Sequence, residues 1–225
     1  MKTKTLSVLY FLSGITFILL NDNPGFLPEI AVKGIIIPIL IILFLVNITP
    51  DHIKSHWLML LALLFSWAGD VTLEIPGQSA GLFITGLLCF MITHILYFAV
   101  FYITPGRSIG PKKLFLLILP VYLFGVGLLC YLYDDLGDMR LPVIVYTAIL
   151  LSMLAAAITR INKVSRLSFY LVLIGAALFF ISDSLLAINK FSHPLPNSTL
   201  LIMSTYVTGQ FLIVLGYIKQ YNPTT

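Results

Sequence analysis

Four ionisable residues, Lys33, Asp70, His94 and Asp183, stand inside runs that are otherwise apolar. Such groups are rare in lipid-spanning segments, usually face a protein interior, and are functional candidates by default. Asp70 lies in LFSWAGDVTLEI at 64–75 and Asp183 in ALFFISDSLLAI at 177–188. Two carboxyl groups in low-dielectric surroundings suit acid–base chemistry. One can hold a proton for donation while the other, ionised, stabilises a developing cation or activates water. Asp, His and Glu side chains could instead hold a metal, but no HExxH or similarly compact ligand motif is present. No cofactor is therefore expected. A plainer reading makes the two aspartates ion-pair partners of Lys33 that lock a bundle, and His94 a hydrogen-bonded core histidine.

These residues need apolar elements to carry them, and the composition supplies them. Of 225 residues, 59% are hydrophobic and only 10% charged, with mean hydropathy +1.03. Soluble domains carry about 25% charged residues, so a soluble chain is excluded. Separate apolar runs, each long enough to cross about 30 Å of hydrocarbon, imply a bundle of transmembrane helices. The runs predict eight helices, at 4–21, 28–48, 56–75, 79–103, 113–133, 140–160, 167–188 and 199–219, in one all-α membrane domain over 1–225. Turn chemistry separates them: NDNPG, NITPD, IPGQ, TPGRSIGPKK, YDDLGD and HPLPN. The first run resembles a signal peptide but has no small-x-small cleavage site after it, and is read as a helix.

With the N-terminus inside, ten of the 13 basic residues fall on the inner side and only Lys33, Arg140 and Lys190 on the outer. That asymmetry predicts cytoplasmic termini. The pI near 9.0 has the same origin: basic residues flank apolar runs, as lipid headgroups and topology require, and nucleic acid is not an expected partner. Cys89 and Cys130 are far apart with no paired spacing, and read as two thiols.

Asp70 is the fifteenth residue of a helix entering from inside, Asp183 the seventeenth of another, and Lys33 the sixth of one entering from outside. At about 1.5 Å per residue all three share the outer half of the membrane. His94, sixteenth in its helix, lies deeper. Residues three and four apart share a helix face. Ser66, Asp70 and Glu74 make one such stripe; Gly86, Cys89, Thr93 and Tyr97, with His94 beside them, make another. Gly175, Phe179 and Ser182–Asp183 mark the seventh helix, and Tyr206 and Gln210 sit one turn apart on the eighth. Helix-packing roles would explain the tyrosine, the glutamine and the small residues equally well, and Glu74 stands close enough to the interface to be solvated. Trp57 and Tyr133 read as interfacial anchors. The two aspartate segments also align with each other, which suggests a four-plus-four parallel repeat with the third and seventh helices equivalent.

The motifs FSWAGD at 65–70, Phe83-x2-Gly86-x3-Phe90-x3-His94-x2-Tyr97, LFFISDSLLAINKF at 178–191 and YVTGQFLIVLG at 206–216 together resemble the YhhN family of lysoplasmalogenase-like membrane proteins. The resemblance spans most of the chain. It implies a hydrolase of the vinyl ether bond of lysoplasmalogens, releasing a fatty aldehyde and a glycerophospho-headgroup. Carried over by position, Asp70 and Asp183 would be catalytic, with His94, Tyr206, Gln210 and Lys33 binding a lysophospholipid drawn from the bilayer. The family commonly shows lysine followed by proline, whereas here Gly34 follows Lys33 and the proline comes at Pro38. A bacterial cytoplasmic membrane is the expected location. A transporter with an intramembrane Asp/Lys site is the main rival; a scaffold whose aspartates matter only for stability is another.

Overall fold

The computed structural model describes residues 2–21, 29–48, 53–75, 79–107 and 109–222. The described residues form eight α-helices: α1 (Lys2–Asn21), α2 (Glu29–Leu45), α3 (Ile53–Leu73), α4 (Ala80–Tyr102), α5 (Pro111–Leu132), α6 (Arg140–Thr159), α7 (Arg166–Ala187) and α8 (Ser198–Tyr221). No strand occurs among the described residues. Each expected helix is present with ends shifted by at most three residues. Most of the turns NDNPG, NITPD and IPGQ lies outside the described residues. Seven helices are long and apolar enough to cross a membrane. The remaining one, α2, is equally apolar but has 17 residues. The protein is an integral membrane protein.

The chain divides into two compact units, the first built on α1–α4 up to Tyr97 and the second running from Phe98 to Gln220. In the first, α2 packs between α1 and α3. Its buried face is Lys33, Ile36, Ile37, Leu40, Leu43 and Phe44, spaced as one helical stripe. Lys33 thus stands at the head of an apolar seam. On α3 the buried stripe runs His56, Met59, Leu63, Ser66, Asp70. The α4 stripe is Gly86, Phe90, Thr93 and His94, Tyr97; Cys89, expected on it, is half-buried beside Phe90. A Cβ on Gly69 would stand 2.8 Å from the Phe90 ring, and Thr93 Oγ1 donates to the Ala62 carbonyl at 3.2 Å. Small side chains on α3 let α4 approach this closely.

In the second unit Pro111 opens α5, where its missing N–H costs nothing. Ser165 caps α7 by accepting from the Ser168 backbone N–H at 3.2 Å. Arg160, at the C-terminal end of α6, is fully buried and donates to Ser168 Oγ at 3.0 Å and Gln220 Oε1 at 2.7 Å. The adjoining helix terminus offers it negative potential. α7 and α8 meet backbone to backbone: a Cβ on Gly175 would lie 2.7 Å from the Gly209 carbonyl oxygen. A π-helical turn, Ile188–Ser192, continues α7.

Candidate active site

The first unit assembles an ion cluster at the head of α2. Lys33, 8% exposed, places Nζ 2.6 Å from Glu74 Oε1 and 3.9 Å from Asp70 Oδ1. It also lies over the Phe17 ring, 5.3 Å from its centroid. Asp70 is 1% exposed, with Ser66 one turn before it on the same buried stripe. The Tyr10 phenol of α1, fully buried, is within electrostatic reach of Asp70 and Tyr97. Glu74 does not behave as a solvated interfacial residue. It stands just past the end of α3 with only 19% of its side chain exposed, and makes the shorter of the two ion pairs. One cation is shared by two carboxylates.

Pro38 explains how α2 and α3 come into register here. Proline has no N–H for the carbonyl four residues back, which frees the Gly34 carbonyl. Trp67 Nε1, from α3, donates to that oxygen at 2.8 Å. The clip falls beside Lys33 on α2 and one turn before Asp70 on α3. The displaced proline therefore supplies the acceptor that aligns the two residues. His94 is fully buried on α4, next to Thr93.

The second unit holds its own carboxylate. Tyr146 Oη of α6 donates to Asp183 Oδ2 of α7 at 2.7 Å. Tyr146 is buried and Asp183 half-buried. Ser182, beside Asp183, donates to the Ile202 carbonyl at 3.0 Å and ties α7 to α8. On α8 both Tyr206 and Gln210 are buried, and the Tyr206 ring meets Phe179 edge-on with centroids 5.4 Å apart. Among the described residues, no three His, Cys, Asp or Glu side chains stand together where they could hold a metal ion.

Tyr146 is the site residue that the sequence reading misses. Its signal lies in the register. Asp70 and Asp183 are 113 positions apart, and the same offset takes Lys33 to Tyr146. It also takes α3 onto α7 to within a residue and sets α2 inside the span of α6. In both units, then, a donor on one helix holds an aspartate on the next, at equivalent positions.

Family comparison agrees with the motifs that carry these residues. The sequence profile of the YhhN family matches residues 29–217. The chain belongs to the YhhN family. The match takes in α2 to α7 and most of α8, and leaves out α1. Among relatives of this YhhN protein, bovine lysoplasmalogenase TMEM86A is 37% identical over 168 residues, covering 72% of this chain and 65% of its own length. Human lysoplasmalogenase TMEM86B is 34% identical over 164 residues, 73% of this chain and 65% of its own. More distant is a lysoplasmalogenase of Mycobacterium bovis, 28% identical over 170 residues, 75% of this chain and 62% of its own. The chain therefore spans somewhat less than two thirds of the length of these relatives. No solved structure matches it.

Proposed function

We propose that this YhhN-family chain is a membrane-embedded hydrolase that cleaves the vinyl ether bond of a lysoplasmalogen, or a related ether lysolipid. The products are a fatty aldehyde and a glycerophospho-headgroup. One observation carries the reading: a pair of equivalent aspartates, each tied to a donor on the preceding helix, in a chain whose relatives bear the name lysoplasmalogenase.

The chemistry asks for an acid and a stabilising anion. One aspartic acid gives its proton to the vinyl carbon remote from oxygen, and the C=C electron pair forms the new C–H bond. The oxocarbenium ion that results is stabilised by an ionised carboxylate. Water adds to the cationic carbon and gives up a proton to a carboxylate base. In the hemiacetal so formed, the hydroxyl gives up its proton to a carboxylate and forms the aldehyde C=O as the bond to the glycerol oxygen breaks and that oxygen takes a proton. Asp70 and Asp183 are the catalytic carboxylates. His94, Tyr206 and Gln210 bind polar atoms of the lipid, and Lys33 acts through Asp70, because two carboxylates already engage its ammonium. The substrate enters from the bilayer. The basic inner loops support a topology with both termini in the cytoplasm, and the reading takes the membrane to be a bacterial inner membrane.

The test is aldehyde release from a lysoplasmalogen by purified protein in detergent. Asp70→Asn and Asp183→Asn are each expected to lose about 100-fold or more in kcat, the usual share of a positioned acid or base. Wild-type turnover by both variants, in monodisperse form, overturns the proposal.

A further inference from the structure

Lys33 does not stand midway between its two carboxylates. Its Nζ donates to Glu74 Oε1 at 2.6 Å, whereas Asp70 Oδ1 lies 3.9 Å away, beyond hydrogen-bond reach. Glu74 follows Asp70 by one turn, and the end of α3 fixes its place. Its backbone N–H donates to the Val71 carbonyl at 3.2 Å, the i to i+3 bond of a tightened last turn. The two acids differ in setting: the Glu74 side chain is 19% exposed and that of Asp70 2%. A carboxylate's charge costs less to hold where water remains, and the ammonium lies with the more open acid. Asp70 is also within electrostatic reach of the buried Tyr10 phenol of α1. In such a crowded shell the distance of the lysine, and not its presence alone, sets how much charge Asp70 meets.

We infer that Glu74 is a positioning residue: it draws the Lys33 ammonium off Asp70 and so keeps that carboxyl available for the reaction. The inference rests on the hydrolase reading above and adds one residue to it, within the first unit alone. A carboxyl in direct contact with an ammonium is a poorer proton donor, and a poorer partner for a second cation. The effect therefore holds for either share of the chemistry that Asp70 takes. Closing the contact from 3.9 Å to about 2.8 Å, at an effective dielectric of about 20, shifts that balance roughly 10-fold. Glu74 acts through Lys33 and not on the lipid.

The test uses purified protein and a 1-alkenyl-glycerophosphoethanolamine in detergent micelles as probe. Glu74→Gln keeps the shape of the side chain and removes its pull on the ammonium. It is expected to stay monodisperse, to lower kcat about 10-fold and to leave KM within about twofold. Glu74→Asp keeps the charge and should recover about half of wild-type kcat or more. Because Lys33 carries the effect, Glu74→Gln should change kcat less than about twofold in a Lys33→Met background; should that background fail to fold, the Gln and Asp variants decide. A mere staple between α2 and α3 would lower the unfolding midpoint and leave the kcat of the folded protein unchanged. Wild-type kcat in Glu74→Gln, a Glu74→Asp no better than Glu74→Gln, or the same loss without Lys33 overturns the inference. So does a Glu74→Gln protein that fails to fold, since the pair is then structural. Asp70→Asn, assayed in parallel, separates the two proposals. Full activity there removes the hydrolase assignment of Asp70 and the role of Glu74 with it, whereas an inactive Asp70→Asn beside a fully active Glu74→Gln removes only the role given to Glu74.

Discussion

In the first unit a lysine ammonium faces two carboxylates; in the second a tyrosine hydroxyl faces one. The donors stand at equivalent positions, so the difference lies in what each aspartate's surroundings demand. Asp70 is 1% exposed. A carboxylate so far from water needs a counter-charge, because the penalty for burying an unpaired ion amounts to several kcal/mol. Asp183 is half-buried and retains part of its solvation, and a neutral hydroxyl is among the groups that hold it. Burial thus dictates the chemistry of the holder.

The comparison can be broken most sharply at Lys33. Lys33→Met keeps the length and apolar stem of the side chain but removes the cation that faces Asp70 at 3.9 Å and Glu74 at 2.6 Å. Removing one member of a buried pair costs about 3–5 kcal/mol, which should appear as a large drop in unfolding midpoint in detergent. Tyr146→Phe removes one neutral hydrogen bond to a partly open carboxylate and should cost only about 1 kcal/mol. If the two variants unfold at the same midpoint, burial does not set the choice of holder.

A smaller effect is expected where the third helix of each unit's count meets the fourth. A Cβ on Gly175 would reach backbone atoms of α8, 2.7 Å from the Gly209 oxygen and 2.8 Å from the Ile213 nitrogen. Backbone cannot swing aside as a side chain can, so Gly175→Ala should cost about 1–3 kcal/mol through forced separation of α7 and α8. The register counterpart of Gly175 is Ala62, where a methyl group is already accommodated and the carbonyl accepts from Thr93 Oγ1. Gly34→Ala is the control, since the nearest atom to its Cβ would be 3.8 Å away. Equal destabilisation by the two substitutions would show that the close contact of α7 with α8 has no special cost.

The sequence made the helices legible because apolar length and turn residues suffice to define membrane helices, and each end falls within three residues of its expected place. Asp70, Asp183 and Lys33 were legible because a charge in lipid requires an explanation. Tyr146 was not, since a tyrosine within an apolar helix has the same composition as an ordinary core or interfacial residue. Only its spacing from Asp183, 37 residues, the same as that from Lys33 to Asp70, marks it. Glu74 stood on the Ser66–Asp70 stripe, but its solvation stayed open for a related reason. Position along a helix gives depth but not the direction of a side chain, and a glutamate near the end of α3 looks solvated until Lys33 is found 2.6 Å away. Trp57 and Tyr133, read as interfacial anchors, are 58% and 47% exposed.

The smallest expected effect tests the feature in which the two units differ most clearly in sequence. Pro38 leaves the Gly34 carbonyl without its helical donor, and the Trp67 indole fills the gap at 2.8 Å. The register counterparts are Leu151, Thr147 and Phe180: a residue with an N–H replaces the proline, and a ring with no donor replaces the tryptophan. At these positions α6 and α7 have neither the gap nor the means to fill it. Trp67→Phe should therefore destabilise by roughly 0.6 kcal/mol, the usual size of a polar contact between membrane helices. In a Pro38→Ala background the restored N–H can serve Gly34 itself, and the same change should cost close to nothing. A double-mutant cycle on unfolding midpoints reads that coupling directly. Strict additivity would mean that the indole is held by packing alone. The alignment of Lys33 with Asp70 would then owe nothing to the displaced proline.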